Sequence, residues 1–481
     1  MTLSPKPAQE FSRQTFLRAA AGALAAGAVF GTVRATADPA ASGWSGLAIG
    51  GQVLTPGDGQ FAGAKQVFNT NYSGATPAAV VVPTSVADVQ KAMAFASARN
   101  LKVAPRSGGH SYVGASTADG AMVLDLRQLP GDIKYDAATG NVTVTPATSL
   151  YALHQALAAA GRGIPTGTCP SVGTSGHALG GGIGAQSRHA GLMCDALTSA
   201  SVVLPGGQAV TASAASQPDL FWALRGGGGG NFGVTTSLTF ATFATTDVDA
   251  VNLNFPAQSF AQVLVGWQNW LRTADRNSWA LADATMDGMG TSCRILATCP
   301  AGSGGSVESA IVKAVGLQPT GTEHHTFNYL DLVRYLAVNN LNPSPLGYVG
   351  GSDVLSTMNA AAAQGIASAV EAFPREAGRG LVIMHALDGA LATVPAAATA
   401  FPWRQQAALV QWYVETGSPS AATGWLNTAH QAVRQSSVGG YVNYIEANQP
   451  ASRYFGANLA KLSAVRQKYD PSRIMFSSLN F

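Results

Sequence analysis

Apolar and polar positions follow two different periods along this chain, and the switches between them mark out its elements. Residues 78–83, a run of alanine and valine ending at Pro83, predict a short buried strand. Ser85 then precedes residues 86–100, where Val89, Ala92, Met93 and Ala96 recur at helical spacing, so a helix capped by Ser85 is expected. Residues 101–105 read as a second strand that enters the turn 106–112. Further strands are expected at 121–126 and 141–145, and a helix at 150–160 ends on Gly161, the residue a C-terminal cap favours. The first third thus alternates strands and helices, an α+β or α/β pattern. From about 247 to 434 the pattern changes. Strand-like runs such as 251–255 mix with helices such as 259–272, and glycine loops thin out apart from 302–305 and 347–351, which marks a second domain. From 441 onward the chain is turn-rich again and ends with a helix near 458–468. No internal repeat is present.

Length and composition narrow the class. At 481 residues the chain is too long for one ordinary core. Apolar residues make up 47% and charged residues 11%, which excludes a disordered or coiled-coil protein. A net charge of +3 with no long basic run gives no nucleic-acid groove and no polybasic membrane patch. The 55 glycines mark tight turns and places where backbone comes close to something else.

The first residues read as an export signal. Arg13 and Arg18 make 12–18 a charged region, residues 19–33 are apolar, and Ala35-Thr36-Ala37 is an A-x-A cleavage site. An apolar stretch of about 15 residues is short of the ~20 that span a bilayer. The segment 12–18 resembles a bacterial twin-arginine signal with Gln14 in the second arginine position, and the general secretory route stays open. A mature chain starting after residue 37, periplasmic or extracellular, is therefore expected, with no membrane span. Cys293 and Cys299 flank a strand-like run that would hold them about 20 Å apart, too far for a disulfide without an intervening turn. Cys194 reads as a buried free thiol.

Two segments carry the chemistry. One is Arg106-Ser107-Gly108-Gly109-His110-Ser111-Tyr112. The other runs from Gly167 through Cys169, Val172, Gly173, Gly176 and His177 to Gly180 and Gly182. Their glycines can expose backbone N–H groups in a concave nest suited to a pyrophosphate. No strand leads straight into Gly180-x-Gly182, and the run 226–230 lacks the Lys-Ser/Thr ending of a P-loop, so neither standard nucleotide motif fits. His177, His189, Cys169 and Cys194 match no zinc spacing, and no metal is expected.

Taken together the two segments resemble the flavin-attachment motifs of the berberine-bridge-enzyme-like oxidases, within the vanillyl-alcohol-oxidase (PCMH-type) FAD-binding superfamily. The segments 188–195, 219–226, Asn231-Phe232-Gly233, Tyr441-Val442-Asn443-Tyr444 and 454–471 extend the resemblance over most of 78–245 and 438–476. It implies an α+β fold. An FAD-binding domain of two α/β subdomains would occupy 60–245 and be completed by 435–481. A substrate domain at 246–434 would roof the site with a large antiparallel sheet covered by helices. It also implies FAD bound covalently at both His110 and Cys169, with a cofactor cradle that includes Arg106, Asn231, Phe232, Gly233, Tyr441 and Asn443, and with His177 as a structural donor near the pyrophosphate.

The same resemblance makes Tyr444 the base, with Tyr441 beside it and Tyr112 lining the substrate pocket. A tyrosine's ordinary pKa of about 10 means the role needs a nearby cation or hydrogen bonds that favour phenolate. Were 441–444 a strand, residues three apart would face opposite ways. Val172, three residues after the cysteine, corresponds to a position over the flavin where valine leaves room for dioxygen. The implied reaction is oxidation of a hydroxyl-bearing small molecule, a sugar or oligosaccharide or a secondary-metabolite alcohol. Dioxygen is the acceptor and hydrogen peroxide the product. A dehydrogenase with another acceptor and a catalytically silent binding protein are the remaining readings.

Overall fold

The computed structural model describes residues 43–481, so the expected signal segment at 1–37 lies outside the described residues. The strand expected at 78–83 forms as Ala79–Val82, and the helix after it as Val86–Ala98. Ser85 caps that helix as expected, its hydroxyl accepting the Asp88 N–H at 3.1 Å. Gly161 takes the left-handed conformation (φ +65°) just past the helix Leu150–Ala158.

Four sheets organise the described residues. The first orders Gln52–Leu54, Ala79–Val82, Met122–Asp125 and Val103–Arg106, with parallel pairing among the last three. The second runs Lys134–Asp136, Asn141–Val144, Val234–Ala241, Leu197–Val203 and Ala209–Ser213, all antiparallel. A two-stranded ribbon pairs Arg162–Gly163 with Phe243–Ala244. The fourth sheet has eight strands, antiparallel throughout, in the order Gly321–Phe327, Val248–Phe255, Gly290–Pro300, Trp279–Asp287, Gly378–Ala386, Ala408–Thr416, Tyr348–Leu355 and Ser437–Gly439. The large antiparallel sheet expected of the fold is therefore present.

Strand alternation divides that sheet into two faces. Val382, Met384 and Ala386, with Val410, Trp412 and Val414, are buried against the helices Phe260–Leu271, Gly304–Val315, Ala360–Glu371 and Pro419–Val433. The intervening residues Leu381, Ile383, His385, Gln411 and Tyr413 point the other way and line a cavity. The C-terminal helix Leu459–Tyr469 packs in the core of the second sheet, and Phe476 N–H bonds Val103 O at 2.8 Å, returning the chain end to the first sheet. All four cysteines are free. Cys293 and Cys299 sit on one continuous strand, and Cys194 is fully buried. Among the described residues no helix is long and apolar enough to cross a membrane.

Candidate active site

The two glycine segments meet backbone to backbone. A Cβ added at Gly173 would lie 2.3 Å from Gly108 N and 2.0 Å from Ser107 Oγ, so only glycine permits this approach. The contact brings His110 and Cys169 to the wall of one cavity of about 490 Å³. Ser171 joins them, its hydroxyl 3.1 Å from His110 Nε2 and 3.9 Å from Cys169 Sγ. The His110 ring stacks on Phe68 with centroids 4.0 Å apart, and Tyr348 donates its hydroxyl to the His110 carbonyl at 2.9 Å. Burial lowers the pKa of His110 to about 4, so at neutral pH it is an uncharged imidazole, and burial raises that of the Cys169 thiol.

Glycine backbone forms much of the cavity wall opposite the large sheet. A Cβ at Gly176 would meet nothing within 4 Å, because that position opens into the cavity itself. The glycine run 228–230 lines the same wall and is held in shape by Asn231, which donates to Gly227 O at 2.9 Å. None of the lining residues is charged, so a pyrophosphate here would be met by backbone and hydroxyl groups.

Of the residues read from the sequence, Ser107 to Tyr112, Cys169, Val172, Gly173, Gly176, His177, Asn231, Gly233, Asn443 and Tyr444 all line this cavity. Five others do not. Arg106 is 1% exposed, pairs with Asp125 at 2.8 Å and donates to the carbonyls of Ala64 and Gln66, so it anchors the turn. Phe232 belongs to the core of the second sheet. Gly180 makes room for the Asn443 side chain, and Gly182 for Met193. Tyr441 is buried, its hydroxyl accepting from Gly182 N–H at 2.7 Å and Asn443 Nδ2 at 2.8 Å. The Nε2 of His177 accepts the Gly167 N–H at 2.8 Å, so this neutral ring, whose pKa burial lowers to about 4, carries its hydrogen on Nδ1.

Residues 442–444 form a 3₁₀ turn, not a strand, and this separates the two tyrosines. Their rings meet edge to face at 5.0 Å, Tyr441 turned to the Gly182 loop and Tyr444 to the cavity. Tyr444 stacks on Tyr112 at 5.4 Å. Burial raises the Tyr444 pKa, with Tyr441 and Cys169 adding to the rise. The cation expected to favour its phenolate is not among the lining residues.

Opposite the glycine segments, the roof comes from the large sheet: Trp279, Leu281, Leu381, Ile383, His385, Gln411 and Tyr413, with Tyr348 at its edge. Sequence reading missed these residues, and it missed Ser171. Residues 381–384 are an unbroken apolar run, Leu-Val-Ile-Met, and such a run does not say which side chains meet the cavity.

The chain matches the FAD binding domain family over residues 77–213 and the berberine and berberine-like family over residues 440–476. It is 30% identical to the chitooligosaccharide oxidase of Gibberella zeae over 434 residues, 83% of this chain and 86% of that protein. It is 42% identical to the xylooligosaccharide oxidase of Thermothelomyces thermophilus over 203 residues, a match that spans 41% of this chain and 40% of that protein. A solved structure of a chitooligosaccharide oxidase superposes with a TM-score of 0.81 at 25% identity, covering 91% of this chain and 98% of that one. With the paired glycine segments, the sheet-roofed cavity and these matches, the chain belongs to the berberine-bridge-enzyme-like FAD-linked oxidases and is an FAD-linked oxidoreductase.

Proposed function

We propose that this protein is an exported oxidase that holds FAD through both His110 and Cys169 and oxidises an uncharged, hydroxyl-bearing small molecule. The single observation that carries the reading is the convergence of His110, Cys169 and Tyr444 on one cavity that contains no charged side chain. When bound, FAD supplies the acceptor for the hydride leaving the substrate carbon. The neutral imidazole of His110 is the nucleophilic form a covalent bond requires. Its Nε2 is engaged by Ser171, which leaves Nδ1 to make that bond. Cys169, on the facing loop of the same cavity, would bond a second position of the ring system.

The substrate end lies between Tyr444, Tyr112 and the roof. Tyr444 engages the reacting hydroxyl, while Gln411, whose amide donates to Tyr112 Oη at 2.8 Å, offers a polar edge among apolar side chains. The relatives are oxidases of chitooligosaccharides and xylooligosaccharides, and a sugar oxidised at its anomeric carbon is the first candidate. The apolar roof extends the candidates to less polar alcohols. Val172 leaves space for dioxygen, so peroxide is the expected second product.

Intact mass and visible spectrum after acid precipitation test the cofactor claim. FAD mass and yellow colour should persist in the wild type and in either single variant, His110→Ala or Cys169→Ala, and vanish in the double variant. Peroxide release on a panel of oligosaccharides and neutral alcohols tests the reaction. Flavin reduction without oxygen uptake would instead identify a dehydrogenase.

A further inference from the structure

The cavity roof is polar on one strand and apolar on the next two. Ala408–Thr416 presents Gln411 and Tyr413 to the cavity, Gly378–Ala386 presents Leu381 and Ile383, and Trp279–Asp287 presents Trp279 and Leu281. The three strands are neighbours in that order, with Ile383 opposite Gln411 and Leu381 opposite Tyr413. Neighbouring strands lie about 4.8 Å apart, so the apolar part of the roof is roughly 10 Å wide.

The hydrogen-bonding groups a substrate could meet gather at the other edge. The hydroxyls of Tyr413 and Tyr444 have no partner among the described residues, and neither is sealed from the cavity. Gln411 commits one amide hydrogen to Tyr112, and its carbonyl faces His385. His385 adds no group that a ligand reaches, because its Nδ1 is sealed and its Nε2 faces Gln411. Leu281, Leu381 and Ile383, by contrast, are only half-buried and show apolar surface to the cavity.

A saccharide does not fit that division. It carries hydroxyls all round its ring, and those turned to Leu281, Leu381 and Ile383 would lose water without gaining a partner. An alcohol with one hydroxyl and an apolar body matches both parts, its hydroxyl at Tyr444 and its body covering the apolar strands. The opposing wall sets the shape of that body. Tyr112 stacks on Tyr444 at 5.4 Å and meets Tyr348 edge to face at 5.1 Å, an aromatic surface that suits a flat ring system. The roof strands also lie between the two family matches, at 77–213 and 440–476, so the shared cofactor motifs do not carry the roof with them.

We propose that the substrate is an uncharged aryl carbinol, an alcohol whose carbinol carbon bears a flat apolar ring system, and that Leu281, Leu381 and Ile383 select it over saccharides. The inference rests on the alcohol-oxidation reading above and decides between its two substrate candidates. The bond changes are those of that reading. The carbinol C–H bond breaks and its hydride reduces the flavin, the hydroxyl proton leaves along the hydrogen bond to Tyr444, and a C=O bond forms.

The test uses the flavin-loaded full chain. Anaerobic flavin reduction by benzyl alcohol and naphthylmethanol is compared with reduction by xylobiose and chitobiose. The aryl carbinols should react with kcat/KM roughly 10²-fold or more above the disaccharides. Ile383→Gln and Leu281→Asn place a hydrogen-bonding group at half-buried positions and should narrow that ratio about tenfold or more, with retained FAD mass and melting temperature as folding controls. Independently of turnover, naphthalene carboxamide, which has no carbinol hydrogen, should bind the oxidised enzyme in titration calorimetry with a negative heat-capacity change, and more weakly in Ile383→Gln. Disaccharides that react within about tenfold of the aryl carbinols, or roof variants that leave the ratio unchanged, would overturn the assignment and leave the oxidation reading standing. If neither class reduces the flavin, the oxidation reading falls and the substrate assignment falls with it.

Discussion

In the proposed flavin attachment, Ser171 sits between the two bonding residues. Its one hydroxyl stands between His110 Nε2 and Cys169 Sγ, and a single hydroxyl can donate one hydrogen bond while accepting another. Removing it takes from the buried thiol, already raised in pKa, one of the contacts that oppose the rise, beside the backbone of Ser171 and Val172. Ser171→Ala should therefore lower the share of protein in which FAD is bonded to Cys169 more than the share bonded to His110, as read by mass spectrometry of flavin-bearing peptides. Tyr441 makes the opposite case. Its likeness to a catalytic position suggested chemistry, yet its hydroxyl serves the Gly182 N–H. Tyr441→Phe should cost about 1–3 kcal/mol, the penalty of a buried donor left unpaired, seen as a lower melting temperature. Its flavin reduction rate should change less than that of Tyr444→Phe.

At the scale of elements, the turn at 442–444 decides what the tail contributes. A strand there would have sent the side chains three apart to opposite faces. The 3₁₀ turn keeps the two rings in contact while aiming them at different partners. Asn443 locks the turn down, its amide donating to His177 O at 2.9 Å and to Tyr441 Oη, which is why Gly180 beneath it has no side chain. Strands and helices near the N-terminus were legible within two or three residues, because their signals are local: an alternating or helical period, a serine cap, a glycine stop. The roof strands were not read from the sequence, since an apolar run such as 381–384 does not say which of its side chains meet a cavity.

Over the whole molecule, a buried ionic cluster couples the sheet to the tail. His430 Nδ1 lies 2.6 Å from Asp353 and its Nε2 2.7 Å from Glu446, two residues after Tyr444, while Arg453 bonds Asp353 at 3.0 Å. Burial alone would lower the His430 pKa, but the two carboxylates outweigh it and raise it to about 9. A histidine raised above its unfolded value stabilises the fold fully below about pH 6.5, and that contribution is lost as pH climbs through about 9. Linkage sets its size at about 3 kcal/mol. Melting temperature should thus drop between pH 7 and 10, and His430→Gln should start lower and lose most of that slope.

The sequence by itself determined the element types, the two glycine segments and the identity of the residues at their tips. Each of these follows from local spacing and from the conformations glycine alone allows. The tertiary structure alone decided that Gly108 and Gly173 touch, that Arg106 and Tyr441 serve the scaffold, and that His385 enters the cavity beside Tyr444. Those outcomes depend on contacts between positions far apart in the chain, and long-range packing leaves no periodic trace in a single sequence.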